Sequence, residues 1–198
     1  MIEEEKKAAE ETGVSGEEME KLSKKIDNAE KNVKGYQYFI LRLGVFLLLM
    51  WLLFFVFIGI THMPSTDMYP RVDAGDFVLF YRLDKDVRAQ DIIVIEKEVP
   101  GMKGKQVFIS RVVAVAGDTV EIDEERLIIN GNTVVETNIF YPTLRYEGYT
   151  EYPLTLKEGE CFVLGDARNN ATDSRFFGPV LQDEIGGTVI TIVRRNNL

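Results

Sequence analysis

The sequence predicts a single N-terminal transmembrane helix followed by a mainly-β domain of antiparallel sheets or a partial barrel. Three features carry this expectation. Residues 43–60 read LGVFLLLMWLLFFVFIGI, eighteen positions without a charge, which as a helix cross roughly 30 Å of hydrocarbon. Beyond Thr61 the chain changes to short runs of β-branched and aromatic residues separated by Gly, Pro and charged turns. Within that part Asn130-Gly131 separates the apolar runs 127–129 and 134–135, and Asn-Gly is the strongest short-range hairpin signal.

Taken in order, residues 1–35 are expected to be a cytoplasmic tail with a short helix. The first dozen are rich in Glu and Lys without apolar periodicity, a composition that favours disorder. Ser15 with Glu18 three residues on has the form of a capping box. Met19, Leu22, Ile26, Ala29 and Val33 then recur at steps of three and four, an apolar stripe about two heptads long. Gly35 is expected to end or kink this helix. So short a stripe suits a weak contact with itself or a partner, or a helix lying near the membrane surface.

Residues 36–60 are expected to form the anchor, with Arg42 reaching back to the headgroups. A cleaved signal would start nearer the N-terminus, be shorter and end in small residues. Lys21, Lys24, Lys25, Lys31, Lys34 and Arg42 precede the span, whereas Asp67, Asp73 and Asp76 surround the first basic residue after it, Arg71. The positive-inside rule therefore predicts a single-pass protein of the cell membrane, N-terminus cytoplasmic and residues 61–198 outside. In this outer domain the expected strands are 77–81, 92–95, 107–109, 111–116, 119–122, 127–129, 134–135, 161–164 and 187–193, with no useful helical period.

A net charge of −9 without a basic block argues against nucleic acid as a partner. His62 is the sole histidine, so one chain holds no Ser-His-Asp arrangement. Metal-spaced clusters are lacking, and neither metal nor cofactor is expected. Cys161 is the sole cysteine and lies in an apolar run, as a buried free thiol would.

The densest polar stretch is Gly165-Asp166-Ala167-Arg168-Asn169-Asn170-Ala171-Thr172-Asp173-Ser174-Arg175, between an apolar run and Phe176-Phe177. A strand feeding such a loop delivers fixed side chains to one spot. Three further stretches precede it: Asp67-Met68-Tyr69-Pro70, the run from Ala74-Gly75-Asp76 to Phe80, and Ser110-Arg111-Val112 continuing to Gly117-Asp118. In this order, after one transmembrane helix, the four stretches resemble the motifs of type I signal peptidases, in the compact Gram-positive form. The resemblance covers about Thr61 to Val193. It implies a membrane-anchored serine-type endopeptidase fold, with Met68 and Pro70 at a peptide cleft. It further implies a possible oxyanion-stabilising hydroxyl at Ser65, and a loop braced by Asp166, Arg168, Asp173, Ser174 and Arg175.

The reactive positions depart from the family pattern. Asp67 stands where the family has its nucleophilic serine, and Ser110 where it has the general-base lysine. Ala171 stands where a serine would orient that lysine. An ionised Asp67 is a weak nucleophile toward an amide and repels a developing oxyanion. A serine has no proton-accepting state near neutral pH to replace an amine base. The sequence thus points to a non-catalytic member that binds peptide as an added strand. Members lacking the dyad resemble those accompanying sortase-assembled pili, which implies pilin or other secreted precursors and a class C sortase as partners. Two alternatives stand beside it: an active signal peptidase using an unconventional pair around Asp67 and Ser110, and a regulator of a true signal peptidase.

Overall fold

The computed structural model describes residues 16–99, 101–123, 125–147 and 149–195. Helix α1 runs Gly16–Phe57, 42 residues, or about 63 Å at 1.5 Å per residue. It is the one helix among the described residues long and apolar enough to cross a membrane. By internal contacts residues 1–52 form one unit and 53–198 another.

Two expectations for helix α1 are corrected. Gly35 neither ends nor kinks a helix, because α1 continues through it. A lone glycine costs about 1 kcal/mol relative to alanine, less than cooperative propagation from turns on both sides recovers. Ser15 lies outside the described residues, as does the expected disorder of the first dozen. At the far end the helix stops at Phe57, and Ile58–His62 forms strand β1. Apolar length alone does not separate a helix from a buried strand; here β1 has a partner, strand β2 (Phe77–Tyr81), with antiparallel register from Ile58↔Tyr81 to His62↔Phe77.

The β-domain holds two sheets. Strands β3 (Ile92–Glu98), β4 (Lys105–Ala114), β9 (Glu160–Leu164), β10 (Val180–Leu181) and β11 (Ile185–Val193) join the first two in a seven-stranded sheet of order β1-β2-β11-β3-β4-β9-β10. Strands β5 (Thr119–Asp123), β6 (Arg126–Ile129), β7 (Asn132–Thr133) and β8 (Leu154–Thr155) make the second, of order β7-β6-β5-β8. Runs 107–109 and 111–116, read as separate, merge into one strand, β4, which stops at Ala114, short of the expected end. The Asn-Gly hairpin forms with Ile129↔Asn132 closing a two-residue turn, and both central residues have positive φ, 52° and 77°, as a type I′ turn requires.

The long sheet is covered on both faces at β3 and β4, whereas Ile60 of β1 and Phe77 of β2 stay exposed. Ile93, Ile95, Phe108, Val112 and Val163 pack on one side with Phe176 and Phe177. On the other, Val78, Val94 and Ile109 meet Met63, Met68 and Val72 of the loop after β1. Val113, Ala114, Phe162 and Leu164 meet the second sheet through Val120, Ile122 and Leu127. Strands β4 and β9 thus sit between the cores, and their ends present the polar loops. A short helix, α2 (Ser174–Phe177), was not expected from the sequence; four residues carry too little periodicity to register.

Gly59 lies opposite Phe80, and a Cβ there would stand 2.1 Å from the ring's Cζ. Gly59→Val should therefore destabilise the β-domain by about 1–3 kcal/mol through overpacking. Adding Phe80→Leu should recover part of that loss, as read by urea unfolding in detergent.

Candidate functional site

The loop 165–175 is built from buried ion pairs, unusual because an unmatched buried charge is expensive. Arg175 and Asp173 are both fully buried. Arg175 donates from Nε to Asp173 Oδ1 at 2.9 Å and from Nη2 to Oδ2 at 2.7 Å. Its Nη1 donates to the carbonyls of Leu144 and Arg168. Burial opposes the charge on Arg175, but the hydrogen bond and charge of Asp173 outweigh it and raise the guanidinium pKa. Asp173 also caps α2 by accepting from the Arg175 N–H. It accepts from the Gly165 N–H at 3.0 Å, while Ser174 Oγ accepts from Val163 N–H at 3.0 Å. Side chains thereby satisfy backbone groups along β9 beyond its short pairing with β10.

Asp166 and Arg168 have separate partners. Arg111 reaches Asp166 through two bonds of 2.8 and 2.7 Å, the bidentate geometry that makes such pairs strong. Arg168 donates to both carboxylate oxygens of Glu136, to Thr143 Oγ1 and to the Gly165 carbonyl. Sequence reasoning named neither Arg111, Glu136 nor Thr143 as partners. Arg111 had a signal, a charge inside an otherwise buried strand; Glu136 and Thr143 lie in irregular chain and had none.

Leu144, Tyr146 and Thr150 lie against the same loop. Tyr146 donates to the Ala171 carbonyl at 3.1 Å, and the Arg175 guanidinium carbon sits 4.3 Å from its ring centroid. Thr150 Oγ1 donates to the Ser174 carbonyl at 2.7 Å.

Asp67 meets this loop through its backbone, its carbonyl accepting from the Ala167 N–H at 2.9 Å. Gly165 has room for neither neighbour to retreat from: a Cβ there would stand 2.3 Å from Ala171 Cβ and 2.6 Å from the Asp67 carbonyl oxygen. Positions 67, 165 and 171 thus converge. Met68 is fully buried in the core and not open to a cleft, whereas Tyr69 and Pro70 are exposed. The cleft expected at Met68 is corrected to that extent, since the thioether fills the space between Met63, Val72 and Ile109.

The half-buried Asp67 carboxyl is pushed above the ordinary carboxylate range mainly by burial. Hydrogen bonds from Ser65 and the Thr172 backbone act against this, Asp173 adds to it, and Arg175 acts against it. Ser65 Oγ in turn accepts weakly from the Asp67 N–H at 3.4 Å. The hydroxyl expected to face an oxyanion thus lies against the Asp67 backbone and beside its carboxyl. The upward shift comes chiefly from desolvation.

Ser110 pairs with Ile93 in β3 and shares a face with Phe108 and Val112. It is 1% exposed, and its Oγ has no hydrogen-bond partner. Asp67 and Ser110 therefore share no hydrogen bond. Cys161 is buried and free, and burial pushes its thiol up to about 12, which leaves it inert. Among the described residues no group of three or more His, Cys, Asp or Glu is arranged to hold a metal.

Asp173→Asn should cost about 3–5 kcal/mol, because it leaves Arg175 buried without its counter-charge; the Asp173→Asn, Arg175→Met double variant should lose less than the sum. Asp67 behaves oppositely. Its raised pKa means that the folded state holds the proton more tightly than the unfolded one, so stability falls as pH rises from 3.8 to the raised value. Asp67→Asn should therefore raise Tm at neutral pH, with the gain shrinking through that window and vanishing below 3.8.

Comparison with known proteins fits these observations. The model of the family described as signal peptidase, peptidase S26, matches residues 7–194. Thylakoidal processing peptidase 1 of Arabidopsis thaliana is 35% identical over 134 residues, 63% of this chain and 38% of that protein. Signal peptidase I of Bacillus caldolyticus is 30% identical over 135 residues, covering 62% of this chain and 71% of the relative. A crystal structure of a signal peptidase I from Enterococcus faecalis is 32% identical, covers 53% of this chain and 97% of that one, and has a TM-score of 0.39. This chain belongs to the signal peptidase family, peptidase S26.

Proposed function

We propose that this chain is a membrane-anchored, non-catalytic signal-peptidase-like protein that holds an extended peptide without cleaving it. The observation that carries this reading is the state of the positions a peptidase would use. Ser110 is sealed in the core with an unpartnered hydroxyl. Asp67 engages Ser65 and the Thr172 backbone instead of a base. A carboxyl at the point where negative charge would develop disfavours a tetrahedral intermediate whenever it is ionised. The surrounding ion pairs, by contrast, are complete, which supports a fold maintained for binding.

The partners in this reading are pilin or other secreted precursors and, through them, a class C sortase. That assignment comes from the resemblance of dyad-lacking members to those of sortase-assembled pili. The lysines before the span support an orientation with the β-domain outside the cytoplasm.

One observation favours a second reading, an active peptidase working through Asp67 and Ser110. The raised pKa of Asp67 is the direction a carboxylate base requires. Ser110 weakens it, since a nucleophile must reach both its base and the substrate.

The test is a reversal series. Asp67→Ser, Ser110→Lys and Ala171→Ser together should confer cleavage of a signal-peptide substrate on a chain that has none. Cleavage by the parent, lost in Asp67→Ala, would favour the second reading. For the pilus role, deletion of the protein in its host should stop pilin polymerisation while leaving sortase levels unchanged; normal polymerisation overturns that role.

A further inference from the structure

The apolar stripe before the span is covered by none of the described residues, and the structure changes its meaning. Because α1 does not stop at Gly35, the stripe runs on as Met19, Leu22, Ile26, Ala29, Val33 and Tyr36, alternating steps of three and four. No residue of the helix is buried. Leu22, Ile26 and Val33 are 55, 52 and 55% exposed. The opposite face carries Lys21, Lys24, Asn28 and Lys31, with Lys24 paired along the helix to Glu20 at 2.6 Å.

Alternating steps of three and four are the a and d positions of a heptad. With Met19 at a, Ile26 and Val33 also fall at a, and Leu22, Ala29 and Tyr36 at d. β-Branched residues at a with leucine at d favour two parallel strands. The same frame puts Lys25 at g and Glu30 at the following e. In a parallel, in-register pair each g residue faces the next e of the other helix, so Lys25 of one copy meets Glu30 of the other, twice by symmetry.

A heptad stripe this short is marginal for free helices in water. Here the stripe and the apolar span belong to one helix. Two copies inserted in the same direction hold their stripes parallel and at equal depth, and tethering raises their effective concentration. We propose that residues 19–36 form a parallel two-stranded coiled coil with a second copy of this chain.

Cysteine-scanning oxidation of the full chain in membranes tests this, with the buried Cys161 of the parent as baseline. Leu22→Cys, Ile26→Cys and Val33→Cys should give disulfide-linked dimers about fivefold above Lys24→Cys, Asn28→Cys and Lys31→Cys, following the heptad seam. Adding Ile26→Asp should return Leu22→Cys to the baseline. Lys25→Glu should weaken the dimer, and Lys25→Glu with Glu30→Lys should restore it. A flat profile, adducts with a different protein, or a charge swap that fails to restore cross-linking would each overturn the proposal.

Discussion

The buried pair of Asp173 and Arg175 is the interaction on which the rest of the site depends. A guanidinium with no solvent access survives only if its donors are matched, and Arg175 matches them with one carboxylate and two backbone carbonyls. That requirement fixes several chain segments at once. It brings the Leu144 and Arg168 carbonyls together and orients Asp173 to receive the Gly165 N–H. Gly165 then lies against Ala171 and the backbone of Asp67. The arrangement near Asp67 is thus set by charges that do not themselves face a reacting group.

In the proposed reading, this separation lets a family scaffold persist without the family's chemistry. Arg111, Arg168 and Arg175 are interlocked with Asp166, Glu136 and Asp173. Removing one member strands a buried charge. Positions 67, 110 and 171 carry no such obligation. Ser110 fits among Ile93, Phe108 and Val112 at the cost of one unpaired hydroxyl, a penalty of about 1–3 kcal/mol. Ala171 offers only a methyl against Gly165. Asp67 keeps Ser65 and the Thr172 backbone as company for a carboxyl that burial makes easier to protonate.

Much of the β-domain was legible because its signals are local. Asn130-Gly131 dictated its turn, and the runs at 77–81 and 161–164 became strands β2 and β9. Failures came where the deciding contact is distant or cooperative. Ile58–Ile60 reads as the end of a membrane helix until the pairing of β1 with β2 is seen. Gly35 reads as a stop until the helix on both sides is counted. At the site, the sequence located the polar loop 165–175 and its buried Asp173–Arg175 pair. It could not foresee that Glu136 and Thr143 hold Arg168, because neither lies in a motif, or that Met68 turns inward as core.

The central claim, binding without cleavage, is tested most directly by mass spectrometry of the full chain in membranes mixed with a precursor bearing its signal segment. The account predicts a complex in which the precursor's mass is unchanged after hours at stoichiometric protein. A shortened precursor whose appearance requires Asp67 would contradict it.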